Sequence, residues 1–165
     1  MSYAIYAHMY TYKYTFIFMY IYVYAPTFRF ADMLTLIYSG QMIDEFALLG
    51  GGWIQAGSKG EPDQGGSVSL EHELRQRPDL SNHFRALFNS VLADGADAAF
   101  TVRGERFLVV RRTWNSFCMI SKFRRNGIVV CHLPAGMLLV CAFSRPVLAQ
   151  QAVPAVESVC ALLWR

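Results

Sequence analysis

Seven cations crowd one short stretch of this chain. Between Phe100 and Arg125 lie Arg103, Arg106, Arg111, Arg112, Lys122, Arg124 and Arg125, against Glu105 alone. A guanidinium is planar, permanently charged and able to donate two parallel hydrogen bonds, so it suits carboxylates and phosphates. Arginine far outnumbers lysine among the cations of the whole chain. Such a patch favours acidic partners: phosphoinositide headgroups, an acidic protein surface or RNA. The bland alternative is that these arginines only make the turns polar.

Other chemistry is scarce. Gly50-Gly51-Gly52 leads into a strand-like run, so its amides would not converge on a phosphate at a helix start. Glu71-His72-Glu73 places its two carboxylates about 200° apart on a helix, off any common face. No serine or cysteine has a matched His and Asp at readable spacing. The four cysteines, Cys118, Cys131, Cys141 and Cys160, are far apart, and three fall in apolar runs. With no C-x-x-C they read as buried free thiols rather than a disulfide framework or zinc site. Neither catalysis, a metal nor a cofactor is expected, and a binding module is the default.

The elements that must carry these residues centre on positions 98–143. Alternation in 115–123 puts Phe117, Met119, Ser121 and Phe123 on one face and Cys118, Ile120 and Lys122 on the other. Asn126-Gly127 predicts a tight hairpin turn, because both residues tolerate positive φ. Leu133-Pro134-Ala135-Gly136 predicts the next reversal. The result is an antiparallel meander of four or five strands. Pairing of 114–123 with the strand before it is expected to gather Arg111, Arg112 and the loop cations at one rim.

Helices flank the meander. Phe30, Met33, Leu34, Ile37 and Tyr38 follow i, i+3, i+4, i+7 spacing, and Ser39-Gly40 can end that helix. A short strand begins at Trp53, and 57–69 is a loop. Residues 71–77 predict a turn of helix. A longer one is expected over 80–92, capped by Asp79, with Leu80, Phe84, Leu87, Phe88, Val91 and Leu92 as its apolar stripe. A last helix is expected over 154–164, with Pro154 in its first turn. The fold class is α+β, with an antiparallel sheet and the N- and C-terminal helices packed together on one face.

The chain has 165 residues, 54% hydrophobic and net +3, which suits one domain with a real core. Residues 1–27 stand apart. Tyrosine recurs at Tyr10, Tyr12, Tyr14, Tyr20, Tyr22 and Tyr24 among apolar residues. The apolar run there is too short for a spanning helix and lacks a small-x-small cleavage pattern. An edge strand and a targeting role stay open, but the segment reads best as a low-complexity extension. The domain is expected to occupy 28–165.

Several stretches together resemble the profilin family. They are Ala47-Leu48-Leu49-Gly50 with Trp53-Ile54-Gln55-Ala56, Gly104-Glu105-Arg106-Phe107-Leu108-Val109-Val110, Gly127-Ile128-Val129-Val130 with Gly136-Met137-Leu138-Leu139-Val140, and Val156-Glu157-Ser158-Val159 with Leu162. The resemblance covers most of 28–165 and is closest to divergent profilins. It implies a non-enzymatic cytoplasmic protein of the actin cytoskeleton, expected to be monomeric. Its implied partners are monomeric actin, acidic phospholipid headgroups and proline-rich peptides, with no nucleic acid. It points to Arg103, Arg111, Arg112, Lys122, Arg124 and Arg125 as the surface for actin or another acidic partner. Trp53 matches the family's strand tryptophan, Phe30 and Met33 fall near its first-helix aromatics, and Trp164 stands near its closing aromatic. These four are the implied polyproline residues. The second reading is a roadblock-type dimerisation module, which Ala93-Asp94-Gly95-Ala96 before a strand would fit and a symmetric dimer would mark.

Overall fold

The structure, a computed structural model, describes Thr35, Tyr38 and residues 41–50, 54–58, 68–90, 98–123, 125–161 and 164. Seven strands form one sheet: β1 (Glu45–Leu49), β2 (Ile54–Ser58), β3 (Ala99–Val102), β4 (Glu105–Arg112), β5 (Ser116–Ser121), β6 (Asn126–His132) and β7 (Leu138–Ser144). Their spatial order is β2-β1-β7-β6-β5-β4-β3, with every pair antiparallel. Three α-helices have described bounds: α1 (Leu70–Gln76), α2 (Pro78–Asn89) and α3 (Ala149–Ala161).

Both faces of the sheet are apolar because both are covered. Phe46, Leu48, Cys118, Val129, Cys131, Leu139 and Cys141 point to α3, whose Val153, Val156, Val159 and Cys160 cover them. Helical Tyr38 joins that layer, its ring edge-on to Phe46 at 5.7 Å. Phe107, Val109, Phe117, Met119, Ile128, Val130 and Val140 point the other way, onto Leu70 and Leu74 of α1 and Leu80 and Phe84 of α2. The alternation in β5 therefore comes out as its sequence predicts, with Phe117 and Met119 on one face and Cys118 on the other.

Three local expectations change. Asn126-Gly127 is not the hairpin turn. The two residues open β6, where Gly127 pairs with Ile120 and Phe143, and the reversal lies at 122–125. Gly127 serves close approach instead, since a Cβ there would run into the ring of Phe143. The helix expected over 80–92 is α2, which starts earlier, at Pro78, without a side-chain cap from Asp79. Proline suits that first position, where its missing N–H has no intrahelical partner to lose. The last helix also begins before Pro154, which lies inside α3. Gln151 Oε1 accepts from the Leu148 amide while Leu148's carbonyl accepts from the Gln151 amide, so a reciprocal cap fixes the start one turn and more ahead of the proline. Pro154 is exposed, and the helix forgoes one backbone bond there.

The sheet is strongly curled, and α1 shows it. Arg75 Nη2 donates to the carbonyl of Ile54 on edge strand β2 at 3.1 Å. Two residues on, Arg77 Nη1 donates to the carbonyl of Thr101 on the other edge strand, β3, at 2.7 Å. Seven flat strands would hold their edges about 29 Å apart, whereas α1 is only about 10 Å long. The edges must therefore bend toward the helix. Glu45 ties the curl: its Oε1 accepts from Arg103 Nη1 in the β3–β4 turn at 2.7 Å, and its Oε2 accepts from the Leu70 amide at 2.6 Å.

Replacing Glu45 with Ala is expected to lower the unfolding free energy by roughly 2–4 kcal/mol, since it strands a half-buried guanidinium and a helix-start amide. Urea unfolding checks this, and a loss below about 0.5 kcal/mol would refute the role given to Glu45. Gly127→Ala is expected to cost about 1–3 kcal/mol by overpacking. The cost should fall by half or more in a Phe143→Leu background, and equal costs in the two backgrounds would show that the ring is not the obstacle.

Candidate functional site

The arginine pairs of the sequence part company in the fold. Strand β4 is about 23 Å long at 3.3 Å per step, and it separates them. Arg112 pairs with Phe117 at one end of the β4–β5 ladder, while the Arg106 carbonyl accepts from the Lys122 amide at the other. The single rim expected from hairpin pairing does not form, because Arg111 and Arg112 end β4 while Lys122 and Arg125 lie in the turn that follows β5, at the opposite end of the ladder.

At the first end the cations are engaged within the protein. Arg111 Nη2 meets Glu157 Oε2 of α3 at 3.1 Å. Ser116 Oγ donates to the other oxygen of that carboxylate at 2.6 Å. Arg112 clamps the end of α2, its Nη2 donating to the Ser90 carbonyl at 2.6 Å and its Nη1 to Ser90 Oγ at 3.2 Å. Arg103, at the far end, belongs to the Glu45 ion pair, and its own amide donates to Glu73 Oε1. Three of the six cations assigned to the acidic-partner surface thus hold elements together.

Arg106, Lys122 and Arg125 are exposed, and among the described residues none of them makes a salt bridge. Pairing of β6 with β7 brings in a fourth cation, exposed Arg145, whose amide donates to the Arg125 carbonyl at 3.1 Å. Sequence reading passed over Arg145. The signal was present, because the same hairpin that places Asn126 opposite Ser144 must bring residues 125 and 145 together. Phe123, 71% exposed, sits in the turn between Lys122 and Arg125, and Leu148, 52% exposed, lies three residues beyond Arg145. Arg124 lies outside the described residues.

An apolar strip adjoins this rim. Leu108 and Val110 of β4 are 41% and 58% exposed. Leu108 faces the α3 side, since its neighbours Phe107 and Val109 are packed beneath α2. Among the described residues, α3 packs on β5, β6 and β7 and does not extend over Leu108 and Val110 of β4. Val110 sits where the β4–β5 register shifts, which keeps both it and Arg111 at the surface.

The first end holds a second surface, built of aromatics. Trp114 is 70% exposed and meets Trp164 nearly edge-on, ring centres 5.2 Å apart. Trp164 Nε1 donates to the His132 carbonyl at 3.1 Å, and the His132 ring lies between those of Trp164 and Phe88. Burial first, then the charge of Arg85, lowers the His132 pKa from its ordinary 6.5. Of the implied polyproline residues, Trp164 is therefore placed beside an aromatic partner that the sequence did not single out. Phe30, Met33 and Trp53 lie outside the described residues. The turn at Pro134–Gly136 contributes a 3₁₀ turn with Ala135 and Gly136 at positive φ and no cation of its own.

Burial raises the Cys118 thiol to about 11. No cluster of His, Cys, Asp or Glu among the described residues could hold a metal ion, and no described helix is long and apolar enough to cross a membrane.

A lowered histidine pKa fixes a sign. The unfolded chain takes up the proton first, so the stability owed to neutral His132 is present above about pH 6.5 and is lost as pH falls through the folded value. His132→Gln is expected to flatten the fall in thermal midpoint between about pH 7 and pH 5. Parallel curves for the two proteins would show that His132 does not titrate in that window.

No protein-family model matches the chain, and no curated protein matches it by sequence. Solved structures do match by fold. Loki profilin 2, in its complex with rabbit actin, is 15% identical with a TM-score of 0.55, over 82% of this chain and 95% of that one. Loki profilin 1, also in complex with rabbit actin, is 14% identical with a TM-score of 0.55, over 82% and 93%. Acanthamoeba castellanii profilin IB is 16% identical with a TM-score of 0.53, over 77% and 88%. The chain has the profilin fold.

Proposed function

We propose that this protein is a profilin-type binder of monomeric actin that acts by association and not by catalysis. The observation that carries the reading is the fold shared with Loki profilins solved in complex with actin. An uncovered flank of β4 beside α3 supports it, because Leu108 and Val110 offer an apolar centre and Arg106, Lys122, Arg125 and Arg145 a cationic border. That combination fits an acidic protein surface: burial supplies affinity, and complementary charge supplies steering and register.

The finer assignments follow from which groups are free. Acidic phospholipid headgroups would meet the exposed rim of Arg106, Lys122, Arg125 and Arg145, joined by Arg124. Arg103, Arg111 and Arg112 contribute to the shape of the surface through their internal bonds. Proline-rich peptides would stack on Trp164 and Trp114, since exposed indole faces receive a preformed polyproline helix at low entropic cost. Phe30, Met33 and Trp53 remain part of this proposal. Action at the actin cytoskeleton in the cytoplasm, as a monomer, completes the reading.

The test is titration of the full chain against monomeric actin, with its mass in solution recorded. Binding in the micromolar range or tighter by a monomer is expected. Leu108→Asp should weaken it roughly tenfold or more, while Arg106→Glu with Arg125→Glu should abolish binding to anionic vesicles with little change in thermal midpoint. Wild-type-like actin binding by Leu108→Asp would move the interface elsewhere. A stable dimer that ignores actin would overturn the reading in favour of a dimerisation module.

A further inference from the structure

Two large apolar side chains face water at the end of the sheet where the free cations gather. Phe123 is the most exposed large apolar residue among those described, at 71%, and Leu148 is half exposed. Ordered backbone holds both of them out. The Asn126 amide donates to Ser121 Oγ at 3.3 Å across the turn that carries Phe123. In the second segment Gln151 Oε1 accepts from the Leu148 amide at 3.1 Å, while neighbouring Val147 packs inward on the α3-side core.

The two segments are neighbours. On this side of the sheet β4 begins, β5 ends, β6 begins and β7 ends. Four adjacent strands span only about 14 Å at about 4.8 Å per step. Within that width the Lys122 amide donates to the Arg106 carbonyl and the Arg145 amide to the Arg125 carbonyl. The side chains of these four cations are exposed and make no salt bridge among the described residues. The carboxylates at this end meet donors of the protein. Glu105 accepts from Asn126 Nδ2 at 2.8 Å, Asp44 from Ser144 Oγ at 2.6 Å, and Glu45 from Arg103. Cations therefore flank the exposed ring both along the chain and across the ladder.

We propose that this end of the sheet seats on an anionic lipid bilayer, with Phe123 and Leu148 entering the acyl boundary and Arg106, Lys122, Arg125 and Arg145 meeting the headgroups. The inference rests on the acidic-lipid reading of the same rim and adds the insertion of two apolar side chains. A ring carried on a turn beyond the strand ends favours a bilayer over an acidic protein. A protein must supply a pocket fitted to that ring, whereas a bilayer yields to it anywhere on its surface. Charge draws the protein in over about 10 Å and weakens in salt. Burial of apolar area does not weaken in salt, so insertion leaves a salt-resistant share of the affinity.

The experiment uses the full chain and vesicles of phosphatidylcholine with about 30% phosphatidylserine. The wild type is expected to bind these and not phosphatidylcholine alone. Phe123→Ala with Leu148→Ala should weaken binding roughly tenfold or more at an unchanged thermal midpoint, and the gap should persist at about 0.5 M salt. Phe123→Trp adds a reporter, whose emission should shift to the blue on vesicles and be quenched by bromine atoms on the acyl chains. Trp114 and its neighbour Trp164 lie at the far end of β4 from Phe123, so wild-type emission is the reference. Full affinity in the double variant, with Phe123→Trp unquenched, would overturn insertion and leave the headgroup reading standing. No vesicle binding by the wild type would overturn both. Equal affinity for a soluble inositol polyphosphate would assign the rim to free phosphate and overturn the bilayer. Loss of actin binding in the double variant, with vesicle binding intact, would overturn it in favour of an acidic protein.

Discussion

One carboxylate sets the curvature on which the rest depends. Glu45 opens β1, an inner strand next to the sheet's edge, yet it accepts from Arg103 in the turn that joins the last two strands at the opposite edge. The same side chain receives the first amide of α1. A guanidinium and a helix start are thus satisfied by one group at a half-buried position. Each would be costly to leave unpaired there, and a flat sheet would leave both unpaired. The curl then gives α1 and α2 a concave bed and leaves α3 the other side.

The curl also closes the sheet's edges. A free edge strand is an invitation to pair with another chain. Here Arg75 and Arg77 each occupy a carbonyl of an edge strand, one on β2 and one on β3. In β3 the outward carbonyl is that of Thr101, since the Ala98 carbonyl already accepts from the Val109 amide of β4 and alternate residues face alternate ways. Two arginines two residues apart in sequence therefore help keep a seven-stranded sheet discrete.

Much of this was legible from residue order. The alternation in β5, the meander, the reversal at Pro134 and the α+β class all follow from period-two patterning and turn chemistry, which are local. The misplaced features are those decided by distant partners. Asn126-Gly127 has the composition of a turn, but the Gly127 position is fixed by the ring of Phe143, and Asn126 donates to Glu105. Pro154 looks like a helix start, but Gln151 and Leu148 begin the helix earlier. Glu45 has no motif at all: a lone carboxylate before an apolar strand reads as solvent-facing until the strand 58 residues away is folded against it.

The arginines show why the site was harder to read than the fold. Charge counting treats them as equals, and a run such as Arg111-Arg112 looks like the strongest of them. Position inverts that ranking. A guanidinium at a strand end beside a helix terminus or a helical carboxylate finds an internal acceptor, as Arg112 does at Ser90 and Arg111 at Glu157. A guanidinium in a hairpin turn stays at the surface, as Arg125 does, with no salt bridge among the described residues. What distinguishes a structural cation from an available one is thus the register of the ladder that carries it. Arg145, from the opposite strand, enters the available group through register alone, and it does so beside the two most conspicuous apolar residues of that rim, Phe123 and Leu148. The capacity to meet an acidic partner is then a property of where β5, β6 and β7 end.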